Sequence, residues 1–347
     1  MARPLRINRP GIWYHVTARA TERPEIFRHD AQRRHWSELL PEFVERFRLE
    51  LHAYVLMSNH YHLLLETPEA NLSEAMQWLQ TSYSMWFNRQ AQRVGPLFQG
   101  RFKAVVVEPQ SWGLAVSRYV HLNPVRIKSL ELGKQERSAD RLGLRGPPSG
   151  EVVRERLKRL REYRWSSYRA YVGQEQAPAW LNCQRVLELG GRGSWPARQR
   201  AYERYAEEAV RAGLAARPWE QLVGGLLLGS REFVAKTRKG LGLGREQPQS
   251  RQMQPRPEWR AVVAAVEWVR GMEWQELKGR RGDWGRDLAW YFGRRECGLR
   301  LRQLGELSGG VDYATVSAGA KRIERRLLKD QELAQKAKRV KGKVSQI

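Results

Sequence analysis

Hydrophobic and polar positions alternate with two different periods over the first 130 residues. Across Ile12–Ala18, Ile12, Tyr14 and Val16 alternate with Trp13, His15 and Thr17, which predicts a half-buried strand. Asp30 stands where a helix cap belongs, and Trp36, Leu39, Leu40, Phe43 and Phe47 follow at helical spacing. Leu51–Met57 and Tyr61–Thr67 are apolar runs of strand length, parted by the turn-prone Ser58–Asn59. Leu72, Met76, Leu79, Tyr83 and Trp86 make one stripe of a second helix. Phe102–Glu108, with Val105-Val106-Val107 inside it, predicts a buried strand. A third helix starts near Pro109–Ser111 and must stop by Asn123, because Pro124 cannot continue it.

The order β-α-β-β-α-β-α is that of a split βαβ sheet. The predicted class is α+β: a ferredoxin-like split βαβ antiparallel sheet with flanking helices, followed by a mostly helical region and a C-terminal helix-turn-helix domain. Residues 1–130 are expected to form the first domain. Residues 131–175 read as a polar connection, centred on Gly146-Pro147-Pro148-Ser149-Gly150, and a basic aromatic extension. The Tyr163–Gly173 part of that extension is expected to pack back on the first domain. Residues 176–240 read as a helical linking subdomain, and 241–257, rich in Gly, Pro and Gln, as a flexible linker. Residues 258–330 carry the helix-turn-helix pattern, and the lysine-rich 331–347 is expected to be a frayed basic tail.

Charge changes the picture next. Lys and Arg number 62 against 37 Asp and Glu, a net +25, which favours a polyanionic partner through counterion release from phosphates. A basic surface also suits an anionic membrane, but no apolar run is long enough to span one. The basic N-terminus lacks the apolar segment of a signal peptide. With Cys183 and Cys297 as its two cysteines, the chain offers no disulfide framework, and a reducing cytoplasm is the expected setting. All seven histidines fall within the first 121 residues, so metal or acid–base chemistry is sought there.

The sharpest local feature is Ser58-Asn59-His60-Tyr61-His62 followed by Leu63-Leu64-Leu65. Residues i and i+2 of a strand share a face, so His60 and His62 present two imidazoles together, as two ligands of one metal require. Two surface histidines on one sheet face would give the same spacing. Tyr61, between them, points to the opposite face and reads as structural. No H-x-H-x-D-H, no H-E-x-x-H and no cysteine ligand points to another metal family. In Ser117–Arg126, Tyr119 and Asn123 stand four apart and would stack on one helix face. A packed aromatic and a helix terminus are the plainer roles for them.

Several pieces occur together in one order: Ala2-Arg3-Pro4-Leu5-Arg6 with Tyr14-His15-Val16-Thr17, Met57–Leu65, Gly95-Pro96-Leu97-Phe98-Gln99-Gly100-Arg101-Phe102-Lys103, Arg118–Arg126, and Tyr163–Tyr168. In this the chain resembles the REP-associated tyrosine transposases, a branch of the HUH single-strand transposases. The usual residue between the histidines is a bulky aliphatic, and Tyr61 departs mildly from it. The resemblance implies His60 and His62 as metal ligands, Asn123 as a third, and Tyr119 as the nucleophile. It implies a metal-dependent transposase that cleaves and rejoins single-stranded hairpin DNA through a 5′-phosphotyrosine. Mg²⁺ or Mn²⁺ suits such a ligand set. Arg101, Lys103 and Arg126 become candidate phosphate contacts, with solvated surface roles as the alternative. His121 is a lesser candidate, turned about 160° from Asn123 around the helix. The competing reading is a catalytically silent, domesticated DNA-binding protein that recognises repeat hairpins. A nucleoid-associated, cytoplasmic location is expected, and a homodimer is compatible with the composition.

At the other end, Leu301–Gly310 reads as a helix closed by a glycine turn, and Thr315–Ile323 starts another. With Arg286–Phe292 before them, these residues resemble the DNA-binding C-terminal domain of the replication initiator DnaA. That resemblance implies contact with duplex DNA near Asp312, Thr315, Lys321 and Arg322. The turn here carries Val311, Asp312 and Tyr313, where the initiators have an arginine and a histidine around an aspartate.

Overall fold

In a computed structural model the described residues are 7–20, 25–133, 136, 146–214, 217–240 and 257–344. The expected opening motif Ala2–Arg6, residues 134–135 and 137–145 of the polar connection, and nearly all of the 241–257 linker lie outside them. The chain divides into two compact units, residues 1–134 with 147–254, and residues 135–146 with 255–347. None of the helices among the described residues is long and apolar enough to cross a membrane.

The first unit is built on a five-stranded sheet in the order β2-β3-β1-β4-β5. Its strands are β1 (Ile12–Arg19), β2 (Glu50–Leu56), β3 (His60–Thr67), β4 (Lys103–Val107) and β5 (Leu227–Leu228). The first four pair antiparallel, as the split βαβ pattern requires. β5 was not foreseen: it adds to β4 in parallel, from a stretch that reads as helical. Because side chains alternate across a strand, the sheet has two distinct faces. Tyr14, Val16, Tyr61, Leu63 and Val106 point to one, which is packed by α1 (Asp30–Arg46) and α2 (Leu72–Gln90). There the Tyr61 ring lies 4.5 Å from that of Trp36, and its hydroxyl accepts from Gln80. Trp13, His15, Thr17, His60, His62 and Glu66 share the other face, over which α3 (Leu114–His121) runs.

Helix α1 opens one residue earlier than the sequence suggests. His29 is the cap and Asp30 starts the first turn, where its charge complements the helix dipole and pairs with Arg33. The β2 edge is covered, which blunts its tendency to pair with other chains. Leu56 N–H donates to the Trp165 carbonyl and Tyr54 N–H to Ser167 Oγ, so Tyr163–Ser167 runs along β2. Further helices of this unit include α4 (Gly150–Glu162), α5 (Gln184–Leu189), α6 (Trp195–Arg211) and α7 (Arg231–Gly240), with a single turn at Tyr168–Tyr171.

The second unit is helical: α8 (Trp259–Arg270), α9 (Trp284–Arg295), α10 (Leu301–Leu307), α11 (Tyr313–Leu327) and α12 (Gln331–Val344). Val262, Val266, Leu288, Trp290, Leu304, Val316 and Ile323 form its core. A Cβ on Gly305 would meet the Val311 carbonyl at 2.0 Å, so the α10–α11 turn can close this tightly only over glycine. The lysine-rich tail is a correction to the sequence reading. It forms α12 because Leu333, Ala337 and Val340 recur at i, i+4 and i+7 and are buried in this core.

Candidate active site on the open face of the sheet

Antiparallel register sets the site. Thr17 lies directly opposite His62, and Arg19 opposite His60, so the odd positions of β1 face the H-x-H pair. The ring centroids of His60 and His62 are 5.0 Å apart. His60 Nδ1 lies 2.6 Å from Asn59 Oδ1, which can only accept from N–H when its amide is oriented that way. Nδ1–H is then the donor, and the lone pair of His60 is left on Nε2. His62 Nδ1 lies 2.8 Å from His15 Nε2 inside the protein. His62 Nε2 is buried with no hydrogen-bond partner, and so is Thr17 Oγ1 across the strand pair. Orphaned polar atoms at such depth are uncommon and call for an explanation.

Helix α3 brings Tyr119 to this cluster. Its ring meets those of His62 and His15 edge-on, with centroids 5.7 and 6.1 Å apart. Tyr119 is half-buried and lines a cavity of about 850 Å³ with His15, His62, Thr17, Arg101 and Lys103. Arg19 also lines it, so three cationic side chains border the space in front of the phenol. Burial holds the imidazoles neutral. Desolvation, with a smaller repulsion from His60, pushes His15 down to about 3. Desolvation and the Arg19 charge push His60 down to about 4. His62 is lowered well below the usual histidine value, again mainly by desolvation. Neutral imidazole is the form that ligates metals.

Asn123 is placed differently. Its Nδ2 donates to the carbonyls of Tyr119 (2.8 Å) and Val120 (3.3 Å), so it ties off the end of α3, and it does not line the cavity. Arg126 Nη1 donates to the Leu214 carbonyl, and its guanidinium sits 5.3 Å from the Tyr119 ring centroid. It braces α3 from within the protein. His121 lies away from the cluster, between Tyr202 Oη (2.6 Å) and Ser167 Oγ (2.7 Å), and joins α3 to α6. Of the expected residues, then, the fold gathers His60, His62, Tyr119, Arg101 and Lys103.

Two residues of the cluster had not been singled out. His15 could have been found from the polar face of its own strand, where it stands between Trp13 and Thr17. Trp219 gives no such signal. It stands in a short 3₁₀ turn, Pro218–Gln221, about a hundred residues beyond Tyr119. Its ring lies 4.3 Å from that of His15 and 4.9 Å from that of Tyr119.

A second group could also hold a cation: the ligand atoms of Glu50, His52 and Glu66 lie within 4.8 Å of one another. Here the chain supplies its own cation. Arg185 Nη1 lies 3.2 Å from Glu50 Oε2 and 2.8 Å from Glu66 Oε2. Trp13 Nε1–H and Asn182 Nδ2–H donate to the same two carboxylates.

In the second unit, a concavity of about 900 Å³ runs along α11, lined by Ser317, Lys321, Arg325, Arg326 and Lys329 among others. Thr315 and Lys321 are exposed, Lys321 within this concavity. Asp312 is exposed too, and its Oδ2 accepts from Ala314 N–H as the N-cap of α11. Arg322 clamps the buried Asp287 carboxylate with two bonds of 2.7 and 2.9 Å.

Residues 8–123 match the family described as transposase IS200 like, over about a third of the chain. No curated protein matches the sequence. Among solved structures, a REP-associated tyrosine transposase bound to a REP hairpin is similar at 15% identity and a TM-score of 0.35. The similarity covers 56% of this chain and 93% of that one.

Proposed function

With residues 8–123 matching the IS200-like transposases, we propose that this chain cleaves and rejoins single-stranded hairpin DNA through a covalent 5′-phosphotyrosine at Tyr119. The observation that carries the reading is the convergence of the Tyr119 phenol and the orphaned Nε2 of His62 on one cavity bordered by Arg19, Arg101 and Lys103.

In this mechanism Tyr119 Oη attacks the scissile phosphorus. The phosphorus–oxygen bond to the 3′ side breaks, and the departing 3′ oxygen takes up a proton. The bond energy is retained in the phosphotyrosine ester, so a second 3′-OH can reverse the step without ATP. The three cations draw the phosphodiester into place, and burial keeps bulk water from competing for the ester.

His60 and His62 are the residues that would hold a divalent cation, Mg²⁺ or Mn²⁺, through their Nε2 atoms. The donor set fits, since both are neutral imidazoles whose Nδ1 atoms are engaged elsewhere. Such an ion, when bound, supplies charge neutralisation at the scissile phosphate and at a developing phenolate. Asn123 Oδ1 is the remaining protein candidate for that ion, because its hydrogen bonds to the helix use the amide nitrogen. His15 then acts as a positioning residue. By accepting from His62 Nδ1–H it fixes the tautomer that leaves the Nε2 lone pair free.

The second unit is proposed to hold duplex DNA beside the single-stranded target. Lys321, Arg325 and Arg326 on α11 and Lys329 just beyond it support that reading, with Thr315 at the helix start. Arg322 borders the same concavity while it holds Asp287, and Asp312 is exposed at the start of α11 while it caps the helix.

The test is incubation of end-labelled single-stranded hairpins with the full chain and Mg²⁺ or Mn²⁺, read on denaturing gels. A protein–DNA adduct that requires metal and vanishes in Tyr119→Phe is the expected outcome. Tight hairpin binding with neither adduct nor cleavage would instead support the silent DNA-binding reading.

A further inference from the structure

The cavity wall opposite the sheet comes from residues 217–228, outside the 8–123 family match. Trp219, Leu222, Gly225 and Leu226 all face the cavity from this segment. A hairpin fixes it in place. The Val223 carbonyl accepts from Leu226 N–H across Gly224 and Gly225, whose φ angles are 60° and 72°. Positive φ at both central positions is the type I′ turn, which glycine adopts without strain. The outgoing strand β5 is sewn to β4 by Val106 N–H to the Leu226 carbonyl and Glu108 N–H to the Leu228 carbonyl, both at 2.8 Å. The Glu108 carboxylate then accepts from both Ser230 N–H and Ser230 Oγ–H, which holds the start of α7. Trp219 is thus delivered to Tyr119 by an element pinned to the edge of the catalytic sheet.

We propose that Trp219 is a base-stacking element of the single-strand site, seating a DNA base beside the phosphate that Tyr119 attacks. This rests on the strand-transfer reading above. The indole is half-buried, so part of it is open to the cavity, and it stands edge-on to the nucleophile at 4.9 Å. Arg19, Arg101 and Lys103 supply the cationic border for the sugar–phosphate backbone. Aromatic platforms beside a cationic track are how proteins grip single strands, since each base offers a π-face and each linkage a charge. A volume of about 850 Å³ lies within the range of small-ligand sites, roughly 300–1,000 Å³. A purely structural Trp219 would fill the space between His15 and Tyr119 and serve equally well as any apolar side chain of similar bulk. Stacking, by contrast, needs the π-face.

The experiment uses the full chain carrying Tyr119→Phe, so that bound DNA is not turned over, and hairpins with a fluorescent single-stranded flank. Affinity is read by anisotropy at fixed salt. Trp219→Leu keeps an apolar side chain but removes the π-face, and is expected to weaken binding about 5- to 150-fold, the range of one lost base–aromatic stack. Trp219→Tyr keeps a ring and is expected to recover most of it. The slope of log affinity against log salt should stay at the wild-type value in Trp219→Leu, because no phosphate contact is removed. An abasic nucleotide scanned along the flank should weaken the wild-type indole at one position and have no further effect there in Trp219→Leu. Equal binding by Trp219→Leu, or a loss indifferent to every abasic position, would overturn the stacking role. If the parent chain binds no single-stranded hairpin at all, the functional reading itself fails. Binding by the parent with no effect of Trp219 sinks only this proposal.

Discussion

His52 and His62 lie on the same face of one sheet, both are buried, and both leave Nε2 without a hydrogen-bond partner. Their surroundings separate them. His52 is stacked on Trp13 with ring centroids 3.8 Å apart, and the glutamates beside it are neutralised by Arg185. His62 faces a cavity, with His60 and Tyr119 beside it and His15 holding its far nitrogen. A buried orphan nitrogen is therefore not a site by itself. What makes one is open volume in front of it and neighbours whose lone pairs or protons are uncommitted. At the His52 cluster the chain already provides its cation, and the cluster ties α5 to the sheet. At the His62 cluster the chain provides imidazole Nε2 atoms, a phenol and a cationic border.

The largest effect expected is at the nucleophile. Tyr119→Phe removes one oxygen and should lower adduct formation by at least about 10³-fold with little change in hairpin affinity. An adduct that survives in Tyr119→Phe would move the chemistry to another residue. At the positioning residue, His15→Ala should weaken Mn²⁺ binding by roughly 10- to 100-fold, with partial rescue by His15→Gln. Unchanged affinity in His15→Ala would leave His15 a packing residue. The closed cluster should respond in stability alone. Glu66→Gln leaves a half-exposed Arg185 with one carboxylate instead of two, and should lower unfolding free energy by about 1–2 kcal/mol in denaturant melts. Loss of metal binding in that variant would erase the contrast between the clusters.

Acid should act on both clusters with one sign. His15, His52 and His121 are pushed down to about 3 and His60 to about 4, each chiefly by burial. These imidazoles stay neutral in the folded chain, whereas in the unfolded chain they protonate near the usual histidine value. The unfolded state thus binds more protons between about pH 6.5 and 4, and stability falls as pH drops through that window. Thermal melts from pH 7.5 to 4.5 should show a falling Tm, and a flat profile would contradict neutral buried histidines. The smallest effect belongs to the rim: Lys103→Ala should reduce the salt slope of hairpin binding by about 1 and weaken all sequences alike.

The sheet, its two flanking helices and the His60–His62 pair were legible because they are encoded locally. Alternation places two residues of one strand on a face, and helical spacing marks a stripe. His15 was half legible: alternation put it on the polar face of β1, but its place beside His62 depends on the register between β1 and β3, a pairing of residues about fifty positions apart. β5 and Trp219 were hidden for the same reason at greater range, since two residues of strand leave no periodicity. The lysine-rich tail misled in the opposite direction: its charges suggested fraying while Leu333, Ala337 and Val340 carried the helical period. Arg322 and Asp312 also make bonds inside the unit, one to buried Asp287 and the other to a helix N-terminus, which the composition does not reveal.

The central claim is that the His60–His62 cluster, and not the Glu50–His52–Glu66 cluster, takes the divalent cation. Titration of the full chain with Mn²⁺, followed by electron paramagnetic resonance of the free ion, tests it in the absence of DNA and turnover. The account predicts that binding persists in Glu66→Gln and is lost in His62→Ala. Binding that persists in His62→Ala and disappears in Glu66→Gln would contradict it.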